Sequence, residues 1–99
     1  MATDVNGRVW SDLAIHPGEA LAEEIEARQL TQKRLAELLG RPPQLVNEIV
    51  RGKKAITPDT AVGHERVFGI SAKTWMNMQV DYELTLAYQR VKPDERAVG

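Results

Sequence analysis

TQKRLAELLGRPPQLVNEIVRGKKAI, residues Thr31 to Ile56, is the stretch whose reading decides the fold. Thr31 is a good N-cap for a helix starting at Gln32, because its hydroxyl can accept from an orphan amide of the first turn. Leu35, Leu38 and Leu39 recur at the i, i+3, i+4 spacing of one buried stripe, and the small Ala36 allows a second helix to cross closely. Gly40 follows the last apolar residue, where helices commonly end in a left-handed conformation that only glycine adopts without a Cβ penalty. A second short helix then carries Val46, Ile49 and Val50 inward and leaves Gln44, Asn47, Glu48 and Arg51 as a polar face. Helix, tight turn and second helix with an open polar face is the layout of a helix-turn-helix, whose second helix enters the major groove of DNA. Two such helices cannot bury their apolar faces alone, so neighbouring segments must complete the core.

Those neighbours are legible on both sides. Pro17 pre-sets φ at a first helical turn, and the helix that follows runs to about Arg28, burying Leu21, Ala22 and Ile25 and showing Glu19, Glu23, Glu24 and Glu26 to solvent. His16, immediately before Pro17, is placed to help start that helix. Downstream, Thr57-Pro58 reads as an N-cap followed by proline at the first helical position, opening a helix through Ala61, Val62 and Val67 that stops before Gly69. Ser71 caps a last and longest helix, about Ala72 to Arg90, and Pro93 follows its end. Before residue 15 there is no clear period; Asn6-Gly7 is a turn signal, and Trp10 and Leu13 are the large apolar anchors. No repeat, low-complexity tract or strand is expected. The reading is all-α: a compact five-helix helix-turn-helix domain over residues 15 to 91 with a long C-terminal helix, an N-terminal arm at 1 to 14 and a tail at 92 to 99.

At 99 residues and 42% hydrophobic content, the chain suits one domain with a modest core. With no cysteine it can form neither disulfides nor thiolate metal sites, and no apolar run approaches the length of a membrane span, so a cytoplasmic protein is expected. A net charge of -1 is unlike the basic excess usual in nucleic-acid binders. The distribution resolves the conflict, because residues 1 to 27 carry -5 while residues 28 to 54, with Arg28, Lys33, Arg34, Arg41, Arg51, Lys53 and Lys54 against Glu37 and Glu48, carry +5. The positive field is concentrated on the helix-turn-helix.

The ordered set Ile15-His16-Pro17-Gly18-Glu19, Asn47-Glu48-Ile49, Gly52-Lys53, Ile56-Thr57-Pro58 and Trp75 is more specific than the central unit alone. On these residues the chain resembles, over about residues 15 to 87, the HigA-type antitoxins of type II toxin-antitoxin systems, within the phage-repressor-like (XRE) helix-turn-helix family. The resemblance implies a small dimeric protein that neutralises a cognate ribosome-dependent messenger-RNA endonuclease and represses their shared operon. Its implied partners are double-stranded operator DNA, a basic endonuclease toxin and a second copy of itself, with no cofactor and no membrane.

Position by position, the resemblance puts Gln32 at a phosphate at the start of the first motif helix, where it would fix register. Gln44 sits near the start of the recognition helix, where a side-chain amide matches the donor-acceptor pair of adenine in the major groove. Glu48, one turn on, can accept from a cytosine amino group, reject DNA or hold a neighbouring arginine. Asn47 serves a phosphate contact or local capping. Arg51, Lys53 and Lys54 follow in the loop that meets the backbone in similar repressors, and Arg41 belongs to the same basic cluster; they contribute salt-sensitive affinity and little sequence choice. The departure from the family lies at Arg41-Pro42-Pro43, since related repressors often have Ser or Thr where Pro42 stands. Pro42 fits as N-cap and Pro43 as first helical residue, so the helix survives, but a side-chain cap typically worth about 0.5 to 2 kcal/mol and one polar DNA contact are lost.

The last helix has more apolar perimeter than its own domain needs. Trp75, Met78, Tyr82 and Leu86 form one stripe, and Leu84, Ala87, Tyr88 and Val91 another. All are core candidates first; Trp75, Met78, Tyr82, Leu84, Leu86 and Tyr88 are also the candidate dimerisation residues, in a dimer that would set two recognition helices roughly 34 Å apart on DNA. The acidic first helix and the Trp10 arm are an alternative face for a basic toxin. His16 and His64 belong to no metal-binding pattern, and no nucleophile and base are grouped as in an enzyme. Two other functions share these features: a stand-alone transcription regulator, and a toxin-binding module whose operator binding is weakened at Pro42-Pro43.

Overall fold

The structure, a computed structural model, describes residues 2–3, 9–10 and 13–91. Among these residues there are five helices: α1 (Pro17–Ala27), α2 (Gln32–Leu39), α3 (Pro43–Val50), α4 (Pro58–Phe68) and α5 (Ala72–Arg90). Each begins and ends for a local reason. Thr31 Oγ1 accepts from Arg34 N at 3.0 Å, Ser71 Oγ accepts from Thr74 N at 3.1 Å, and Gly40 and Gly69 close α2 and α4 in the left-handed region at φ 67° and 76°. Thr57 and Thr60 form a reciprocal capping box at the start of α4, with Thr57 N donating to Thr60 Oγ1 at 2.9 Å. Pro42 caps α3 at φ -63°, ψ 143° without a side-chain hydrogen bond, and Pro43 takes the first helical position.

One expectation fails in the N-terminal arm. A small antiparallel ribbon pairs β1 (Ala2–Thr3) with β2 (Val9–Trp10), Ala2 opposite Trp10 and Thr3 opposite Val9. Two residues per strand are too few to display a period of two, although Val9 and Trp10, just after the Asn6-Gly7 turn signal, are good strand formers. The anchoring expected of the Trp10 side chain, and the tail at 92 to 99, lie outside the described residues.

The core joins all five helices: Leu21 and Ile25 from α1, Leu35 and Ala36 from α2, Val46 and Ile49 from α3, Ile56 from the following loop, Ala61 and Phe68 from α4, and Trp75 from α5. Three apolar residues expected inside are at the surface. Leu38 is 37% exposed, Val62 51% and Leu13 69%. In α4 the buried stripe runs through Ala61, His64 and Phe68, so it passes through a polar residue type, and Val62 lies off it.

At Gly18 helices α1 and α3 approach with no room for a side chain. A Cβ there would overlap the Ile49 carbonyl, so the first turn of α1 rests directly on the backbone of α3. At this point α3 is seated on α1 by backbone, in addition to the core packing of Leu21 and Ile25 with Val46 and Ile49. No helix among the described residues is long and apolar enough to cross a membrane.

Candidate nucleic-acid interface

The outer face of α3 follows from its buried one. With Val46 and Ile49 fully inside, Gln44 in the first turn and Arg51 at the C-cap are exposed, and Asn47 and Glu48 are half-buried between them. Lys53 and Lys54 continue this surface in the loop beyond α3, both exposed, and Arg41 flanks the start of the helix. The structure therefore gathers the basic and amide residues singled out from the sequence around one short helix.

Several of these side chains also hold one another. Asn47 Nδ2 donates to Gln32 Oε1 at 3.2 Å, tying the middle of α3 to the first turn of α2. Asn47 is thus a bridge between the two motif helices rather than a cap, and Gln32 keeps its amide hydrogens as donors. Glu48 faces Lys54 at 4.0 Å, so the partner it holds is a lysine, not an arginine. Its backbone carbonyl accepts from Lys53 N at 2.8 Å and Lys54 N at 3.2 Å, which folds the basic loop back on the end of α3. Arg41 reaches Asp59 of α4 at 3.9 Å, a solvent-exposed pair that contributes little to stability and leaves the guanidinium accessible.

Beneath the loop lie His16, which starts α1 as its place before Pro17 predicts, and Gln79, whose role is not visible in the sequence. His16, the N-cap of α1, is 8% exposed; its Nδ1 accepts from Gly18 N at 2.9 Å and its ring packs edge-on against Tyr82 of α5 at 4.8 Å. The same ring lies against Gly52, which turns the chain at φ 73°. Burial pushes the His16 pKa down, opposed by a hydrogen bond with the Lys54 backbone and by the charge of Glu19. Gln79 of α5, buried, accepts from Ile56 N through Oε1 at 2.9 Å and donates from Nε2 to Glu83 at 2.9 Å. A helical spacing argument finds apolar faces and overlooks a buried glutamine; the Ile56 amide, which has no helix or strand to pair with, was the available signal.

The α5 residues separate into two groups. Trp75 is fully buried in the protomer's own core, because its ring fills the space between His64 and Phe68, so it is not a surface residue as the dimerisation set had it. Met78, Tyr82 and Leu86 are half-buried, with Tyr82 turned to His16. Leu84 and Tyr88 are 46% and 48% exposed, and Val80 at 47% and Val91 at 37% extend the same stripe at spacings of four, four and three. Val80, absent from the expected set, joins this stripe because it lies one turn before Leu84 on the same face.

A helix-turn-helix family model matches residues 21–75, which take in most of α1, all of α2, α3 and α4, and the first turn of α5. The chain belongs to this helix-turn-helix family. Virulence-associated protein I of Dichelobacter nodosus is 47% identical over 77 residues, covering 77% of this chain and 71% of the relative. An addiction module antidote protein of the HigA family from Coxiella burnetii superposes with a TM-score of 0.72 at 34% identity, over 81% of this chain and 97% of that one. A Pseudomonas aeruginosa protein solved in complex with its 18-base-pair operator DNA superposes with a TM-score of 0.79 at 36% identity, over 83% of this chain and 89% of that one. Membership in this family accounts for five helices packed around a short, outward-facing α3.

Proposed function

We propose that this HigA-like chain is a DNA-binding antitoxin: a homodimer that reads a palindromic operator through α3, represses its own operon and neutralises a cognate messenger-RNA endonuclease. The observation that carries the reading is the exposed Gln44 at the start of α3, followed on the same surface by Arg51, Lys53 and Lys54, in a fold shared with a protein solved on its operator. Gln44 supplies base choice, since its amide can both donate to and accept from adenine. Gln32, Arg41, Arg51, Lys53 and Lys54 supply phosphate contacts, Asn47 holds Gln32 in place for its contact, and Glu48 orients Lys54. The α5 stripe of Val80, Leu84, Tyr88 and Val91 is the face on which a second copy docks, with Met78, Tyr82 and Leu86 behind it.

The decisive experiment is a titration of the protein against its own upstream promoter and a scrambled fragment at near-physiological salt, where non-specific affinity is about 10⁻⁴ to 10⁻⁶ M. Promoter binding much tighter than the control is expected, and Gln44→Ala should alter sequence preference. One observation favours a second reading: α3 starts without a side-chain cap at Pro42, where a capping hydroxyl would also meet phosphate. Equal, weak binding to both fragments together with tight capture of the toxin would make the chain a protein-binding module on a helix-turn-helix scaffold.

A further inference from the structure

The loop that carries Lys53 and Lys54 has no secondary structure of its own, yet it is held from below at two places. At one, the His16 ring lies under Gly52 and is wedged by Tyr82 at 4.8 Å. Because Nδ1 accepts from Gly18 N, the neutral ring carries its proton on Nε2, and that nitrogen is the one available to donate to the Lys54 backbone. At the other, Gln79 Oε1 receives the Ile56 amide at 2.9 Å. Both anchors are buried polar groups, His16 bonded through Nδ1 to Gly18 N and Gln79 through Oε1 to Ile56 N, which makes them rigid supports rather than surface contacts. We propose that His16 and Gln79 are positioning residues for phosphate contact, fixing the backbone of residues 52–56 so that Lys53 and Lys54 meet the DNA in register with α3. The supports come from α1 and α5, so the basic loop takes its place from the helix that also bears the exposed apolar stripe.

The functional half of this proposal rests on the operator-binding reading above, and the test keeps the two apart. Two substitutions divide the imidazole by its nitrogens. Asn in His16→Asn puts Oδ1 where Nδ1 stands and keeps the helix cap, but cannot reach Lys54; Gln in His16→Gln puts an amide nitrogen where Nε2 stands and keeps the loop contact, but loses the cap. Gln79→Met removes the second anchor and leaves the Ile56 amide without its acceptor. In the free full-length chain, amide hydrogen exchange at Lys53 and Lys54 should quicken at least tenfold in His16→Asn and stay near wild type in His16→Gln, with Ile56 quickening in Gln79→Met. On the promoter fragment, the slope of log K against log salt should fall by roughly one in His16→Asn and Gln79→Met, the value of about one lost phosphate contact, and hold in His16→Gln. A merely destabilised protein loses active fraction and does not change that slope. Wild-type exchange in His16→Asn, quickened exchange with an unchanged slope, or equal behaviour of the two His16 variants would overturn the proposal. If the wild-type chain shows no preference for its promoter, the operator reading fails, and exchange in the free protein decides the anchoring by itself.

Discussion

The two histidines are both buried, and they are used in opposite ways. His16, at the junction of α1, the basic loop and α5, has Nδ1 bonded to Gly18 N and its ring edge-on to Tyr82. His64, on α4, is fully buried against Trp75 at 4.9 Å and Phe68 at 6.1 Å, and neither of its ring nitrogens has a hydrogen-bond partner; nor has Trp75 Nε1. At the α4–α5 end of the molecule an imidazole serves as an aromatic filler, and burial pushes its pKa from 6.5 down to about 4. At the loop end the same side chain is a hydrogen-bonded joint. One end is stabilised by packing in spite of its polar atoms, the other by polar atoms whose geometry packing protects.

Removing the centre of the packed end should have the largest effect. Trp75→Ala is expected to cost about 3 to 5 kcal/mol, read as a lower urea midpoint, because it empties the space that His64 and Phe68 enclose. A loss below about 1 kcal/mol would mean that this end is not held by its rings.

Acid should open the same end by nearly as much. His64 binds its proton more weakly folded than unfolded, so the unfolded chain takes up the extra proton and stability falls as pH drops from 6.5 toward 4, levelling below. The loss attributable to His64 is about 3 kcal/mol. In His64→Leu, urea midpoints at pH 7, 5.5 and 4 should flatten, and stability at pH 7 should rise because two unpaired nitrogens leave the core. Part of the dependence should survive that substitution, since His16 is also depressed and acts with the same sign.

Gly18→Ala tests the loop end, where it drives a Cβ into the Ile49 carbonyl. It should cost about 1 to 3 kcal/mol and, by lifting α3 from α1, weaken promoter binding more than the same loss of stability elsewhere. The smallest effect expected is in Lys53→Ala with Lys54→Ala: thermal midpoint nearly unchanged, and a salt slope for promoter binding shallower by about two.

How much of this was legible depended on distance along the chain. Thr31, Gly40, Pro43, Thr57, Gly69 and Ser71 all start or stop helices where they were expected to, because capping is chemistry within three or four residues. Leu38 and Val62 were misplaced because which edge of an apolar stripe faces inward is settled by the neighbouring helix, and for the same reason Trp75, a core candidate first, lies wholly inside. Val62 yields its inward place to His64, a residue type that composition marks as polar. At the site, the grouping of Gln44, Arg51, Lys53 and Lys54 follows from one helix and its adjoining loop. The Asn47–Gln32 bridge spans fifteen residues and the Gln79–Ile56 bond twenty-three, and no local pattern foreshadows either.

The two prolines at the entrance of α3 act on a state the folded contacts do not describe. Pro42 and Pro43 leave the turn after Gly40 few conformations to explore before folding, and Pro42 sits at the φ its ring prefers. Such a substitution at a compatible site typically stabilises by about 0.4 to 1 kcal/mol through the unfolded ensemble, which offsets much of a missing cap. The recognition helix thus begins on a segment that has little disorder left to surrender, whether to folding or to a ligand.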